Sequence, residues 1–407
     1  MPTHWLEYLI YGVYFLAGPG AWVLYAIGLY QASKRMDLIK RPRDPAPEPP
    51  PEVAILIPAK DERERIGVCL RSALAQDYTN FKVIAINDRS TDGTGQAMDE
   101  IAREDSRLSV VHSPDGGLPE GWTGKCHALH QGAQHAIGAQ WLLCIDSDVI
   151  LDKDALGATL GVATKKTWGM VSLLPRMESR TMWEAALVPL AGGAVAALFT
   201  AALNNNNNLP NTAFANGQFL LMRRDAYDAV GGHAAVRDQY CEDMVLARLF
   251  KRNGHRPRVS FGADLCSVRM YDSFNKIMHG WSRIFFASAS GSPWRSIIGI
   301  LFLLVCCYSL IPALIWGVYR QIHPIDFFGG LGWIFTAFVH WILMTYQVGV
   351  MYRWTLNPRR HAFLFPITAA LMIVIFARAV WMCLTRRVEW RGTHYRHAMN
   401  HGVVSGG

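Results

Sequence analysis

Val53-Ala54-Ile55-Leu56-Ile57-Pro58-Ala59-Lys60-Asp61-Glu62 is the stretch that decides the fold. Val53–Ile57 is apolar without alternation, as a parallel strand buried on both faces must be. It stops abruptly in charge. A helix follows, with Ile66, Leu70, Ala73 and Leu74 on one face. Phe81–Ile86 reads as the next strand and ends in Asn87-Asp88. Asp92 reads as the N-cap of a helix over Gly93–Arg103. Leu108–Val111 and Trp141–Ile145 are further strands. Between them His127–Ala136 forms a helix whose apolar face is Leu129, Ala133 and Ala136. This alternation predicts an α/β fold with a parallel sheet covered by helices on both faces. Ligands bind such sheets at the carboxyl ends of the strands.

Acidic residues stand at three of those ends. Asp61-Glu62 follows the first strand, Asn87-Asp88 ends the second, and Asp146-Ser147-Asp148 ends the fourth. Two carboxylates in Asp-x-Asp suit a hard divalent cation, Mg²⁺ or Mn²⁺, that also holds a diphosphate. Alone, the pattern more often means a turn capping the next helix. Three acidic strand ends on one sheet edge favour a site. No G-x-G-x-x-G follows the first strand and no G-x-x-x-x-G-K-[ST] occurs, which argues against dinucleotide and P-loop readings. Gly121-Trp122-Thr123-Gly124-Lys125 precedes the helix from His127. Lys125 and that helix N-terminus can face a diphosphate; an ordinary glycine turn with a solvated lysine fits equally well. His127, His130 and His135 show no i,i+4 pair and read as surface or core histidines. Glu242-Asp243 opens a helix pattern carrying Met244, Leu246, Ala247 and Phe250. Acids are favoured there by the helix dipole alone. The functional reading is a general base for an acceptor hydroxyl.

Around this soluble-looking stretch the chain is apolar, and 51% of all 407 residues are hydrophobic. Tyr8–Tyr30, Ile297–Tyr319, Phe327–Met351 and Phe363–Leu384 each exceed the roughly 20 residues a spanning helix needs. The first lacks an A-x-A-like cleavage site and reads as a retained anchor. Lys34, Arg35, Lys40, Arg41 and Arg43 follow it, so the positive-inside rule puts that flank in the cytoplasm. The loop Arg320–Asp326 is nearly neutral, and the next loop carries Arg353, Arg359 and Arg360. The tail, with Arg386, Arg387, Arg391 and Arg396, breaks the alternation, or the last run, with Arg378 inside it, stops short of spanning. The net charge of +8 gathers at these flanks, which points to anionic lipid rather than nucleic acid. Eight scattered cysteines without a CxxC pair indicate a reducing compartment. The expected order is an anchor (1–31), a basic and Pro-rich linker (32–51), a cytoplasmic domain (52–290), membrane helices (291–385) and a basic tail (386–407). Met182–Leu203 and Ser273–Ala289 read as interfacial helices, the first equally well as a buried core helix. Asn204–Asn208 reads as a polar loop. The sequence assigns no oligomeric state.

Val53–Pro58 with Ala59-Lys60-Asp61-Glu62, Asn87-Asp88-Arg89-Ser90-Thr91-Asp92, Asp146-Ser147-Asp148 and Glu242-Asp243 together resemble the ordered motifs of family 2 glycosyltransferases. The resemblance covers roughly 52–290 and extends to one helix before the domain and several after. It is nearest to the membrane types that glycosylate lipids, such as ceramide glucosyltransferases and hopanoid-associated or carotenoid glycosyltransferases. Gly121–Lys125 and Glu389-Trp390-Arg391-Gly392-Thr393-His394-Tyr395 are similar to these too. The resemblance implies a GT-A fold (the nucleotide-diphospho-sugar transferase fold) and a nucleotide-sugar donor, UDP-glucose or another UDP-sugar. It also implies inversion at the anomeric carbon and a membrane lipid as acceptor. It implies that Pro58, Ala59, Glu62 and Asp88 hold the nucleotide. Asp146 would lie near the ribose, sugar or metal, Asp148 would bind the metal, Asp243 would be the base with Glu242 beside it, and Gln218 would line the acceptor side. A (Q/R)xxRW motif is reduced to Ile277-Met278-His279-Gly280-Trp281. This keeps Trp281 and leaves Lys276, His279 or Arg283 to supply the cation.

The alternatives are a processive polysaccharide synthase and a non-catalytic membrane scaffold or transporter. Four spans are few for a secretion channel. A transporter would show an internal repeat and polar residues inside its spans. A dead scaffold would have lost Asp88, Asp146, Asp148 and Asp243.

Overall fold

The computed structural model describes residues 4–35, 39, 44–198, 201–239, 241–288, 292–323, 329–354, 356–385, 388–390 and 393–395. Lys40, Arg41 and Arg43 of the basic flank and Arg386, Arg387, Arg391 and Arg396 of the tail lie outside them. The chain divides into two compact units: 35–178 with 199–270, and 1–34 with 179–198 and 271–407.

The first unit contains ten strands among the described residues: β1 (Val53–Ala59), β2 (Phe81–Asn87), β3 (Leu108–His112), β4 (Trp141–Ile145), β5 (Val149–Leu151), β6 (Met170–Leu174), β7 (Arg176–Met177), β8 (Phe219–Arg223), β9 (Pro257–Phe261) and β10 (Cys266–Val268). Seven form one sheet in the order β3-β2-β1-β4-β8-β6-β9, and β5-β10-β7 form a small second sheet. Alternate residues of the buried strands serve two cores. Val53, Ile55 and Ile57 share one with Ile66, Leu70, Met98 and Ile101. Ala54 and Leu56 share the other with Leu129, Ala133, Leu246 and Phe250. The unbroken apolar run of β1 therefore has a helix layer on each face, as expected.

The sheet departs from the all-parallel expectation at one strand. β8 runs antiparallel between β4 and β6, with Phe219 opposite Ile145. Its chain arrives at the carboxyl edge instead of leaving from it, so the residues just before β8 stand beside those just after β4. The helix runs Thr94–Glu104 with Gly93, not Asp92, at its N-cap position, and Asp92 sits one residue earlier, its Oδ1 accepting from the Thr94 N–H at 2.9 Å. The asparagine run does more than form a polar loop. The Asn205 amide exchanges two hydrogen bonds with the backbone of Val259 (3.0 and 2.9 Å) and so covers the outer edge of β9.

The second unit carries four helices, among the described residues, long and apolar enough to cross a membrane: Trp5–Gln31, Trp294–Ile322, Gly330–Arg353 and Arg359–Thr385. Two contain π turns, Leu16–Gly20 around Pro19 and Leu304–Tyr308. The Cys306 carbonyl in the second accepts from Trp22 Nε1 (2.6 Å) and His340 Nε2 (2.8 Å), the internal pairing a backbone group in hydrocarbon requires. Arg320 was expected in a loop. The helix continues to Ile322, and Arg320 is buried in an ion pair with Glu7 at 2.8 Å. The helix Met182–Leu198 opens with a capping box. Glu184 accepts from the Arg180 N–H and the Thr181 hydroxyl, both at 2.9 Å, and its next turns are buried from Ala185 to Ala191.

Candidate active site

The carboxyl edge of the large sheet gathers most of the residues singled out from sequence. In register Ala59 stands opposite Asn87, and the Asp88 N–H donates to the Ala59 carbonyl at 2.8 Å. Asp146 leaves the end of β4 next door. The antiparallel β8 brings Asn216, Gly217 and Gln218 to the same edge. Two helix N-termini converge there: Gly124–His135, capped by Thr123, and Glu242–Arg252.

Lys125 stands at the centre of this group. Its Nζ lies 2.7 Å from Asp146 Oδ1 and 2.9 Å from Glu242 Oε1. Burial works against its charge, but Asp146, Glu242 and Asp243 outweigh that and hold the ammonium well above the ordinary lysine range. Lys125 is thus paired with two carboxylates, although about a third of its side chain remains exposed. Asp243 takes a different role from its neighbour. Its Oδ2 accepts from the Gly217 N–H and its Oδ1 from the Met244 N–H, both at 2.7 Å. Burial first, and then the Glu242 charge, push the Asp243 carboxyl up to about 7. One carboxylate is thus engaged by a cation. The other is fixed by backbone donors, with proton affinity near neutrality, as a general base needs.

Gly217 was not singled out from sequence, and the only signal was an Asn-Gly step before a strand. A Cβ there would lie 2.9 Å from Lys125 Nζ and 3.2 Å from Asp243 Oδ2. Gly217→Ala is therefore expected to push Lys125 off its partners. A displacement of about 1 Å typically lowers turnover by about 10²-fold. The stability cost should be small, because the atoms that must shift are the ends of flexible side chains. Steady-state rates and thermal melts on the purified variant check both. Wild-type turnover would contradict this reading.

Asp88 is buried, and Arg89 holds its Oδ1 through Nε at 2.9 Å and also through Nη2. Its Oδ2 faces Gly124, where a Cβ would approach to 2.7 Å, so only glycine lets the helix start this close to the carboxylate. The β1 end is braced from the β2 side. The Glu62 N–H donates to Thr94 Oγ1 (2.8 Å), and Asp61 Oδ1 accepts from the Thr91 N–H (2.8 Å). Pro58 and Ala59 form the end of β1 itself. Gln218 is buried, with its Oε1 accepting from Asn216 Nδ2 at 3.0 Å. Trp122 packs on His127 and His130, ring centroids 5.4 and 5.0 Å away.

Asp148, like Asp243, is a carboxyl held against its charge. Burial first, then the charges of Asp146 and Glu62, push it up to about 7, and Arg65 at 3.9 Å offsets only part of this. Arg65 carried no signal in the sequence. Hard oxygen ligands of this kind fit Mg²⁺ or Mn²⁺. Among the described residues no three acidic, histidine or cysteine side chains form a group that could hold a metal ion.

Trp281 and Arg283 belong to the second unit, on the helix Phe274–Ser288. Trp281 is 2% exposed, with its ring 6.0 Å from that of Phe285.

Comparison with known proteins agrees with this architecture. The 4,4'-diaponeurosporenoate glycosyltransferase of Staphylococcus aureus (strain USA300) is 27% identical over 256 residues, 61% of this chain and 64% of the relative. The chain thus matches less than two thirds of that relative's length. The solved mannosyltransferase PcManGT from Pyrobaculum calidifontis, in complex with GDP-Man and Mn²⁺, superposes with a TM-score of 0.50 over 93% of this chain and 99% of that one, at 18% identity. The fold is GT-A with flanking apolar helices, and a family 2-like glycosyltransferase is what the sequence motifs implied. Residues 20–402 match the profile of Glycosyl transferase family 21, and the chain belongs to that family of glycosyltransferases.

Proposed function

We propose that this glycosyltransferase moves a hexose, with inversion, from a UDP-sugar donor to a membrane lipid at the cytoplasmic membrane face. The observation that carries the reading is the grouping of Lys125, Asp146, Glu242 and Asp243 on one sheet edge beside Asp148. The relative named for 4,4'-diaponeurosporenoate and the fold neighbour solved with GDP-Man and Mn²⁺ support an apolar acceptor, a nucleotide-sugar donor and a divalent ion.

Pro58, Ala59, Glu62 and Asp88 hold the nucleotide in this reading, and Lys125 serves the diphosphate. Asp146 and Asp148 would hold Mg²⁺ or Mn²⁺, which neutralises the departing diphosphate. Asp243 takes the proton of the acceptor hydroxyl as its oxygen bonds to the anomeric carbon and the bond to the diphosphate breaks. Glu242 orients this pair. Gln218 serves the acceptor side. We assign residues 1–31 to an anchor, 32–51 to a linker, 52–290 to the catalytic domain, 291–385 to membrane helices and 386–407 to a basic tail. The anomeric configuration of the isolated product, read by NMR, tests the mechanism. A configuration opposite to the donor's supports it, and a retained one overturns it.

Membrane orientation needs its own probe, because Cys69 and Cys126 are buried and unsuited to labelling. Ile137 is 80% exposed. A cysteine introduced at Ile137 should escape an impermeant maleimide in intact cells, beyond the labelling of the parent chain, and react after permeabilisation. Labelling in intact cells would contradict a cytoplasmic domain.

A further inference from the structure

Lys125 faces two carboxylates that belong to opposite sides of the site. Asp146 ends β4, on the donor side, and Glu242 begins the helix that carries the base. The distances are nearly equal, 2.7 and 2.9 Å, so one ammonium is shared between the two sides. Gly217 keeps the space for it, since a Cβ there would lie 2.9 Å from Nζ. The Glu242 side chain is 8% exposed, so losing its cation is costly, whereas Asp146 at 31% can draw on water. Asp243 needs no such cation, because the Gly217 and Met244 N–H groups hold both its oxygens.

We propose that Lys125 is a positioning residue that couples donor binding to the acceptor side of the site. Without donor, its ammonium is shared by Asp146 and Glu242. A bound diphosphate, with more negative charge than either carboxylate, draws the ammonium away from Glu242. Glu242 is then left beside Asp243 without its cation, which favours proton uptake by Asp243 from the acceptor hydroxyl. Glu242, although on the acceptor side, opposes nucleotide binding by holding Lys125. Coupling of this kind is reciprocal and typically amounts to about 5–150-fold.

This inference rests on the donor reading above, and the test separates the two. The full chain in detergent is titrated with UDP and with GDP, each with Mn²⁺, by calorimetry, and the tighter nucleotide is carried forward. Glu242→Gln should tighten its binding by at least about fivefold. In a Lys125→Gln background the same change should alter affinity by less than about twofold, because interacting residues are not additive. Equal factors in both backgrounds would mean that Glu242 acts by long-range charge alone, and the proposal falls. Lys125→Gln strips a cation from two carboxylates and can fail to fold, so a second variant decides independently. Glu242→Asp keeps the charge but shortens its reach. It should also tighten nucleotide binding, by at least about twofold if the shared contact carries the coupling, whereas unchanged affinity overturns the proposal. Binding of neither nucleotide to the wild-type chain would overturn the donor reading itself, and the proposal with it.

Discussion

Asp243→Asn is expected to lower turnover by about 10²–10⁴-fold, the usual contribution of a general base. The amide preserves the shape of the side chain and can still accept from the Gly217 or Met244 N–H. Nucleotide affinity should stay within roughly twofold, because the lost interaction belongs to the transition state. The wild-type pH profile carries the same signature. Burial and then Glu242 push the Asp243 carboxyl up to about 7, and the base form lies above that value. The rate should therefore fall as pH drops through about 7, and Asp243→Asn should remove the Asp243 share of that limb, leaving any share of Asp148, which is raised to the same value. The stability effect has the opposite sign. A carboxyl raised in the fold binds more protons folded than unfolded between pH 4 and 7, so this group lowers stability as pH rises through that window. Near-normal turnover with weakened nucleotide binding would move Asp243 to the donor site. A loss of only about 0.3–1 kcal/mol of stability, with turnover per folded molecule intact, would reduce it to a helix-dipole residue.

Metal removal is expected to have an effect of similar size. Burial and then the Asp146 and Glu62 carboxylates oppose the charge of Asp148, and Arg65 at 3.9 Å offsets only part of this. A divalent ion would supply the missing counter-charge, for which several kcal/mol, on the order of 10³-fold in rate, is typical. EDTA should abolish transfer, and Mg²⁺ or Mn²⁺ should restore it. Asp148→Ala should remain folded by circular dichroism and stay inactive in either ion. Full activity in EDTA would contradict a metal-dependent transfer.

Much of what was legible in the sequence lies at the ends of buried parallel strands, while Glu242-Asp243 was legible as two acids opening a helix. Val53–Ile57 and Trp141–Ile145 announce themselves by unbroken apolar runs, and Asp88, Asp146 and Asp148 follow from where those runs stop. Other features depend on contacts between residues distant in sequence. Lys125 meets Glu242 across 117 positions, and nothing near either residue encodes that pairing. Gly217 matters because of the atom it lacks. β8 has the composition of any buried strand, and its reversed direction is set by the route its chain takes to the sheet edge, which periodicity does not record. The ion pair of Glu7 with Arg320 shows the same limit: a charge near the end of an apolar run reads as loop until its partner in another helix is known.

The central claim is that residues on this sheet edge transfer sugar from a nucleotide to a membrane lipid. The most direct test is to incubate membranes containing the full chain with a panel of labelled nucleotide sugars and separate the lipid extract. The account predicts that label from one UDP-sugar enters a discrete lipid product, and that Asp243→Asn and EDTA both abolish it. Label recovered in a polymer or in water-soluble products alone, or a lipid product formed equally well by Asp243→Asn, would contradict it.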